Sequence, residues 1–429
     1  MAAVFIGALT LLTYLVLHVW PWGLIVSDGE TQAVFVDLVK VSLAVSGGMG
    51  AAVALVVAYR RQKHLEVDDA GKRSRYAGAA QQLGDPQAAV RMAGAYAMAH
   101  LADEWPEQRQ QCVDVLCAYL RLPWVVDDPA SVEPTSVTVQ RAHPITDGGQ
   151  HTETRAYNVL PGEREVRRTL TRIITDHLRD KPAVSWAELR LDLDGATLID
   201  ADFSHARLGV GSSMRHTHFV GHADFGGATF SGFAGFTEAT FTGDAVFYGA
   251  KFSGYAVFDG ARFSGDAGFT GAIFSGGATL FDGARFSGRA GFTEAIFSGR
   301  AGFTEAKFSG PAVFDGAKFS GPAVFDGAAF TEYAHLTGAA FTEYAGFTEA
   351  AFTGTAGFTE AAFTGTAVFT GAAFTGTAVF TEATFTERSV WRRARLPSRE
   401  VFDACQRPPT PEALDEAIFE DEQPRPTED

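Results

Sequence analysis

Residues 223–252 read ADFGG ATFSGF AGFTE ATFTGD AVFYG AKF, and this stretch decides the fold. Ala recurs two residues before an aromatic, and the unit length alternates between five and six. The pattern runs on to Ala383 and Phe385, thirty Ala-x-large units in all, with Phe in the large position of 28. Leu280 and Leu336 fill the other two. Twenty-eight of the chain's 36 Phe therefore occupy one kind of site, which marks a core-forming repeat rather than a mixed core. Upstream, Ala196, Ala201 and Ala206 precede Leu198, Phe203 and Leu208 at a strict five-residue spacing.

These units resemble the pentapeptide-repeat family, whose unit is a small residue, any residue, a large apolar residue and two more. The resemblance covers roughly residues 190 to 387. The Phe-rich, eleven-residue double unit is similar to an actinobacterial branch with an N-terminal transmembrane hairpin and a helical module ahead of the repeats. The resemblance implies a mainly β fold, a right-handed quadrilateral β-helix with one unit per face and 22 residues per coil (5+6+5+6). Its inward core would then include Phe225, Phe236, Phe247, Phe258, Phe269 and Phe292, continuing through Phe303, Phe314, Phe325, Phe347, Phe358 and Phe369. An extra residue near Leu280-Phe281 shifts the register by one.

The second residue after each large one is mostly Gly or Glu. One column reads Glu238, Gly260, Gly283, Glu305, Gly327, Glu349, Gly371, so that Gly separates every Glu; the opposite column has one adjacent pair, Glu360 and Glu382. Stacked Glu on neighbouring coils would repel. Asp326, Glu332, Glu343, Glu349, Glu360 and Glu382 form a candidate acidic interaction surface. From residue 320 to Glu387 there are seven acids and no Lys or Arg.

Outward from the repeats, the chain changes character on both sides. Residues 63–125 read as a helical module: Asp85-Pro86 opens one helix with Val90, Ala93, Ala97 and Leu101 on its apolar face. A second helix carries Cys112, Val115, Leu116 and Tyr119 on one side. Cys112 and Cys117, five apart, do not share a helix face, and with Cys405 they read as reduced structural thiols. Residues 126–158 hold Pro, Asp, Thr and Gly without periodicity and read as a flexible linker. A connecting helix lies within 159–185, where Arg164, Arg167, Arg168 and Arg172 read as a solvated face. The repeat domain spans 186–391, with Val390 and Trp391 at its open end. Residues 392–429, with blocks of Arg and then of acids, read as a disordered charged tail.

At the N-terminus, residues 1–62 read as a two-helix transmembrane hairpin. Ala2 to Val19 contain no Asp, Glu, Lys or Arg and end at Trp20-Pro21-Trp22. Val41 to Ala58 form a second apolar run in which Ser42, Ser46, Gly50, Ala54 and Ala58 recur every four residues, a pattern that permits close helix approach. Arg60, Arg61 and Lys63 follow it, so the positive-inside rule places both termini and the repeats on the cytoplasmic side of a cell membrane.

The expected function is a non-enzymatic, membrane-anchored scaffold or protein-interaction module, with the lipid bilayer and an unidentified protein as partners. No Walker loop, Rossmann glycine pattern or nucleophile elbow is present, so no catalytic residue, cofactor or small-molecule substrate is expected. The net charge of −16 argues against nucleic-acid binding. His216, His218 and His222 read as a solvated corner rather than a metal site. The alternative, implied by the resemblance, is a DNA mimic that binds a topoisomerase such as DNA gyrase.

Overall fold

The computed structural model describes residues 29–124, 136–144, 150–158, 161–179 and 182–422. The chain divides into two compact units, Met1–Arg73 and Ser74–Asp429. The first apolar run, 2–19, lies outside the described residues. The second falls within helix α1 (Gly29–Leu83), where the side chains of 41–47 and 49 lie outside them too. Among the described residues no helix is long and apolar enough to cross a membrane. The close helix approach expected at Gly50 involves the first apolar run, so it too lies outside the described residues.

The second unit is dominated by a parallel β solenoid of about ten turns. Strands of two or three residues pair with the strand one coil away, 22 residues on: Lys251 aligns with Thr229 and then with Ile273. Four such ladders make four sides, named here by their first regular aromatic: the Phe225, Phe230, Phe236 and Phe241 faces. Ala and Phe point inward on every face because the strand period of two puts i and i+2 on one side. Rings then stack from coil to coil; on the Phe236 face the centroids are 4.8 Å apart for Phe236–Phe258 and 4.7 Å for Phe258–Phe281.

The twelve core Phe named from the repeat are all at most 1% exposed. One unit differs from its reading. Phe281, not Leu280, takes the inward position, and Thr279 replaces Ala beside it. The inserted residue is absorbed in the strand Ala278–Leu280, so the ring stack passes through unbroken.

The N-terminal end of the solenoid is closed by helices α2 (Ala88–Glu104), α3 (Arg109–Leu120) and α4 (Glu163–Leu178), which share one apolar core with the first coils. Helix α2 begins two residues after the expected Asp85-Pro86 start; Asp85 instead accepts the Gln87 N–H at 2.8 Å. Its buried side is Arg91, Gly94, Ala95, Met98, Leu101 and Ala102, while Ala93 and Ala97 are exposed. Alanine lies all round this helix, so apolar periodicity could not choose the face. Both Cys112 and Cys117 are buried, because α3 is covered on more than one side.

Arg167 is buried, not solvated. It donates to Glu163 Oε1 at 2.8 Å and to the carbonyls of Leu120 and Leu122, both at 2.8 Å. Those carbonyls belong to the end of α3, where a helix has unsatisfied acceptors that attract a cation. Arg91 does similar work at the start of α2, donating to the carbonyls of Asp85, Pro86 and Pro161. Glu163 joins the two arginines and also accepts from the Tyr119 hydroxyl at 2.8 Å.

Two further segments depart from their readings. Within the stretch read as a linker, β1 (Ser136–Pro144) pairs antiparallel with β2 (Gln150–Asn158). At the other end the coiling does not stop at Trp391, which stacks on Phe369 at 4.1 Å. Leu396, Phe402, Leu414 and Phe419 are buried beyond it, and Ile418–Phe419 pairs with Arg395–Leu396. The Arg that made this stretch look disordered sits outside: the Arg399 guanidinium lies 4.4 Å from the Phe419 ring centre, and its Nε donates to Glu422. Of the expected tail, 423–429 lies outside the described residues.

Candidate interaction surface

On the Phe225 and Phe236 faces each inward Phe opens a tight turn. The Ala261 N–H donates to the Phe258 carbonyl at 3.0 Å, and Gly260 between them has φ of +65°. Positive φ at the third position is the demand that brings Gly to type II turns. The same position holds Glu238, Glu294, Glu305, Glu349, Glu360 and Glu382, with φ from 54° to 57°. The Gly/Glu column thus has a backbone cause that charge repulsion alone does not supply.

Glu238, Glu294, Glu305 and Glu349 also lean over the next coil. A Cβ on Gly260, Gly327 or Gly371 would lie 3.3, 3.4 or 3.4 Å from the Cγ of Glu238, Glu305 or Glu349. Corners after the Phe230 and Phe241 faces use Gly differently. A Cβ on Gly354 or Gly365 would be 2.1 Å from the carbonyl oxygen of Glu332 or Glu343, too close for any side chain. The corner acids are therefore each followed by a residue with no side chain, which keeps them well exposed.

The six candidate acids do not gather on one face. Asp326 and Glu349 lie on the turn between the Phe236 and Phe241 faces, and Glu332 on the corner that follows. Glu343 is on the corner after the Phe230 face, and Glu360 and Glu382 are on the turn after the Phe225 face. Asp326 is partly spent inside the fold, since its Oδ1 accepts the Thr348 N–H at 2.8 Å. Asp259 and Asp282 do the same for the N–H groups of Asp282 and Thr304. Burial raises the Asp259 carboxyl above the ordinary carboxylate range against that hydrogen bond, and the charge of Asp282 adds to the rise.

Burial pushes the thiols of Cys112 and Cys405 up to about 11 and that of Cys117 to about 12, so they stay protonated at neutral pH. The three histidines stand apart in role: His216 faces Glu238 at 3.4 Å, His218 bonds to the Thr240 hydroxyl, and His222 is an exposed corner residue. Among the described residues no group of three or more His, Cys, Asp or Glu could hold a metal ion. A groove of about 300 Å³ between α1 and α2 is lined mainly by apolar atoms, and its Arg75 and His100 both pair with Glu104.

Residues 225–273, 258–307 and 303–351 match the family model described as pentapeptide repeats (9 copies). The solenoid is a pentapeptide-repeat domain. No curated protein and no solved structure matches the chain. For a pentapeptide-repeat solenoid packed full of Phe and Ala, what remains for recognition is the outside: four corners and the outward side chains of four ladders.

Proposed function

We propose that the chain is a non-enzymatic, membrane-anchored scaffold whose pentapeptide-repeat solenoid binds protein partners through its outer surface. The observation that carries this is the filled interior. Ring stacks run along all four faces, so a partner meets only side chains that vary from coil to coil on a rigid frame. Acid-only residues 320–387, set among Gly, Ala and Thr, favour a partner with a basic surface.

The anchor rests on the apolar runs 2–19 and 41–58. Val53, Leu55, Val56, Val57 and Tyr59 are exposed in succession around α1, and a helix apolar on every side needs lipid or another apolar partner to cover it. The basic residues after it favour a cytoplasmic solenoid. The chain should then remain with membranes through carbonate and high-salt extraction; recovery in the soluble fraction would remove the anchor from this reading. Affinity capture from detergent-solubilised membranes should yield a partner that is lost with Glu343→Lys and Glu360→Lys. Mimicry of DNA is the second reading, favoured by the acid-only stretch alone. Inhibition of gyrase supercoiling by the full chain, relieved by the same pair of substitutions, would put it first.

A further inference from the structure

The exposed large apolar side chains of the solenoid are not spread evenly. Val210, Phe233, Tyr248 and Tyr255 fall in three successive coils, and among the described residues only Tyr333 lies elsewhere. Three of them climb the corner after the Phe230 face. A Cβ on Gly232 would meet the Val210 Cα at 3.0 Å, and one on Gly254 the Gly232 carbonyl oxygen at 2.4 Å. Phe233 and Tyr255 are thus one coil apart, ~4.8 Å. Tyr248 stands at the other edge of the same face, on the turn after the Phe225 face. Between the two edges the outward strand residues are Arg207, Thr229, Lys251 and Ile273, aligned in parallel. Arg207 and Lys251 are exposed, with no ion-pair partner among the described residues.

This side of the first coils carries no acid. Residues 203–211, 226–236, 248–258 and 270–281 contain no Asp or Glu. Glu238, Asp259 and Asp282 lie across the Phe236 face, on its far turn. The acids that border the patch are few, and two are engaged. Asp202 pairs with Arg179, and Asp224 accepts the Gly226 N–H at 2.7 Å. Glu188 lies one coil before Val210, and Glu294 one coil beyond Gly271, so these two mark its ends. Farther along the same side the character reverses, with Glu343 and Glu387 on the corner and Glu360 and Glu382 on the turn.

We propose that this side of the first coils lies on an anionic lipid surface, with Arg207 and Lys251 among the headgroups and the aromatic rings at their depth. The contact rests on the reading of the chain as membrane-anchored, which keeps the solenoid at high local concentration beside a bilayer. Tyr and basic side chains without acids make up the membrane boundary, whereas Lys is depleted from protein interfaces. The rings suit a shallow contact. A Cβ on Gly235 would lie 2.5 Å from Phe233 Cε1, and one on Gly268 2.2 Å from Tyr248 Cε1, so each ring rests against a glycine and keeps its other side free. A row of side chains along one corner also meets a plane along a line. The basic ladder Arg262, Arg285 and Lys307 on the Phe241 face does not compete, because Asp259, Asp266 and Asp282 border it. The acid-only coils are repelled by the same lipid, which leaves residues 320–387 to a protein partner.

Nanodiscs holding the full chain test this, with a nitrobenzoxadiazole label on Ser253→Cys in a Cys405→Ala background. Ser253 is exposed between Lys251 and Tyr255, and Cys112 and Cys117 are buried. Spin-labelled lipid should quench this label in discs containing phosphatidylserine, at least ~3-fold less at ~500 mM salt, and little in phosphatidylcholine alone. Labels on Ser264→Cys, at the diagonal corner, and Thr364→Cys, farther along the same corner, should stay bright. Lys251→Glu/Tyr255→Ser changes two exposed side chains and should abolish the quenching while the chain still resists carbonate extraction. A Ser253 label that lipid never reaches, or quenching indifferent to the double substitution, would overturn the proposal. So would equal quenching at Ser264, or protection of Ser253 by a captured protein in place of lipid. Absent quenching in a carbonate-resistant chain would leave the anchor standing, whereas quenching in a chain that carbonate strips would remove the anchor and keep the patch.

Discussion

The solenoid and its helical cap hide apolar surface in opposite ways. In the solenoid one solution is repeated: Phe303 lies between Phe281 and Phe325 at 5.0 and 4.8 Å and meets Phe292 and Phe314 edge-on at 5.5 Å. Its neighbours in the stack have nearly the same surroundings. In the cap every contact is unique, and two buried arginines satisfy carbonyls beside helix ends that the apolar side chains alone would leave open. Repetition stabilises through near-identical neighbours, whereas the cap depends on a single network with no spare member.

Substitutions should separate the two modes. Phe303→Ala should cost ~3–5 kcal/mol, because rigid coils cannot close the cavity. The outward Lys307→Ala beside it should cost under ~0.5 kcal/mol. Equal losses in chemical denaturation would show that the inward register is wrong. Arg167→Met should cost ~3 kcal/mol or slightly more, since it leaves the Leu120 and Leu122 carbonyls without their donor and the buried Glu163 with only Tyr119 and Arg91. A loss below ~1 kcal/mol would mean that apolar packing alone holds the cap.

Smaller effects probe the repeat's own irregularities. Glu305→Gly should raise stability by ~0.5–1 kcal/mol, because φ of 56° strains a residue with a Cβ while Gly costs some chain entropy. A lower unfolding midpoint would show that Glu305's contact with the next coil outweighs the strain. Last, Asp259→Asn keeps the acceptor for the Asp282 N–H while removing a partly buried charge. A carboxyl whose folded pKa is raised weakens the fold where it is ionised and stops doing so as pH falls through the raised value. The variant should therefore be slightly more stable at pH 7, and the advantage should vanish below pH ~4. Asp194 in the first coils has the reverse sign. Burial alone would raise it, but hydrogen bonds from Ser213 and Arg215 hold it below the ordinary range, so its contribution is lost on acidification.

Most of the solenoid was legible because period and burial coincide: every Ala-x-Phe unit repeats the same two inward positions. The Gly and Glu after them were visible as a column, but their positive φ was not, since charge spacing offered a sufficient account. The candidate acids were found singly. That Asp326, Glu332 and Glu349 border one face, while Glu343, Glu360 and Glu382 lie at other corners, depends on which side of the coil each unit occupies.

By itself, then, the sequence determined the repeat and all but one of its inward residues, because those follow from local periodicity, while the 22-residue coil came from the family resemblance and the place of Phe281 from the fold. Only the tertiary structure decided the buried face of α2, the burial of Arg167 and the further coiling beyond Trp391. Each of these turns on partners distant in the chain. A guanidinium looks solvated until the carbonyls of Leu120 and Leu122 arrive beside it, and a charged tail looks disordered until Phe402 and Phe419 find the end of a ring stack.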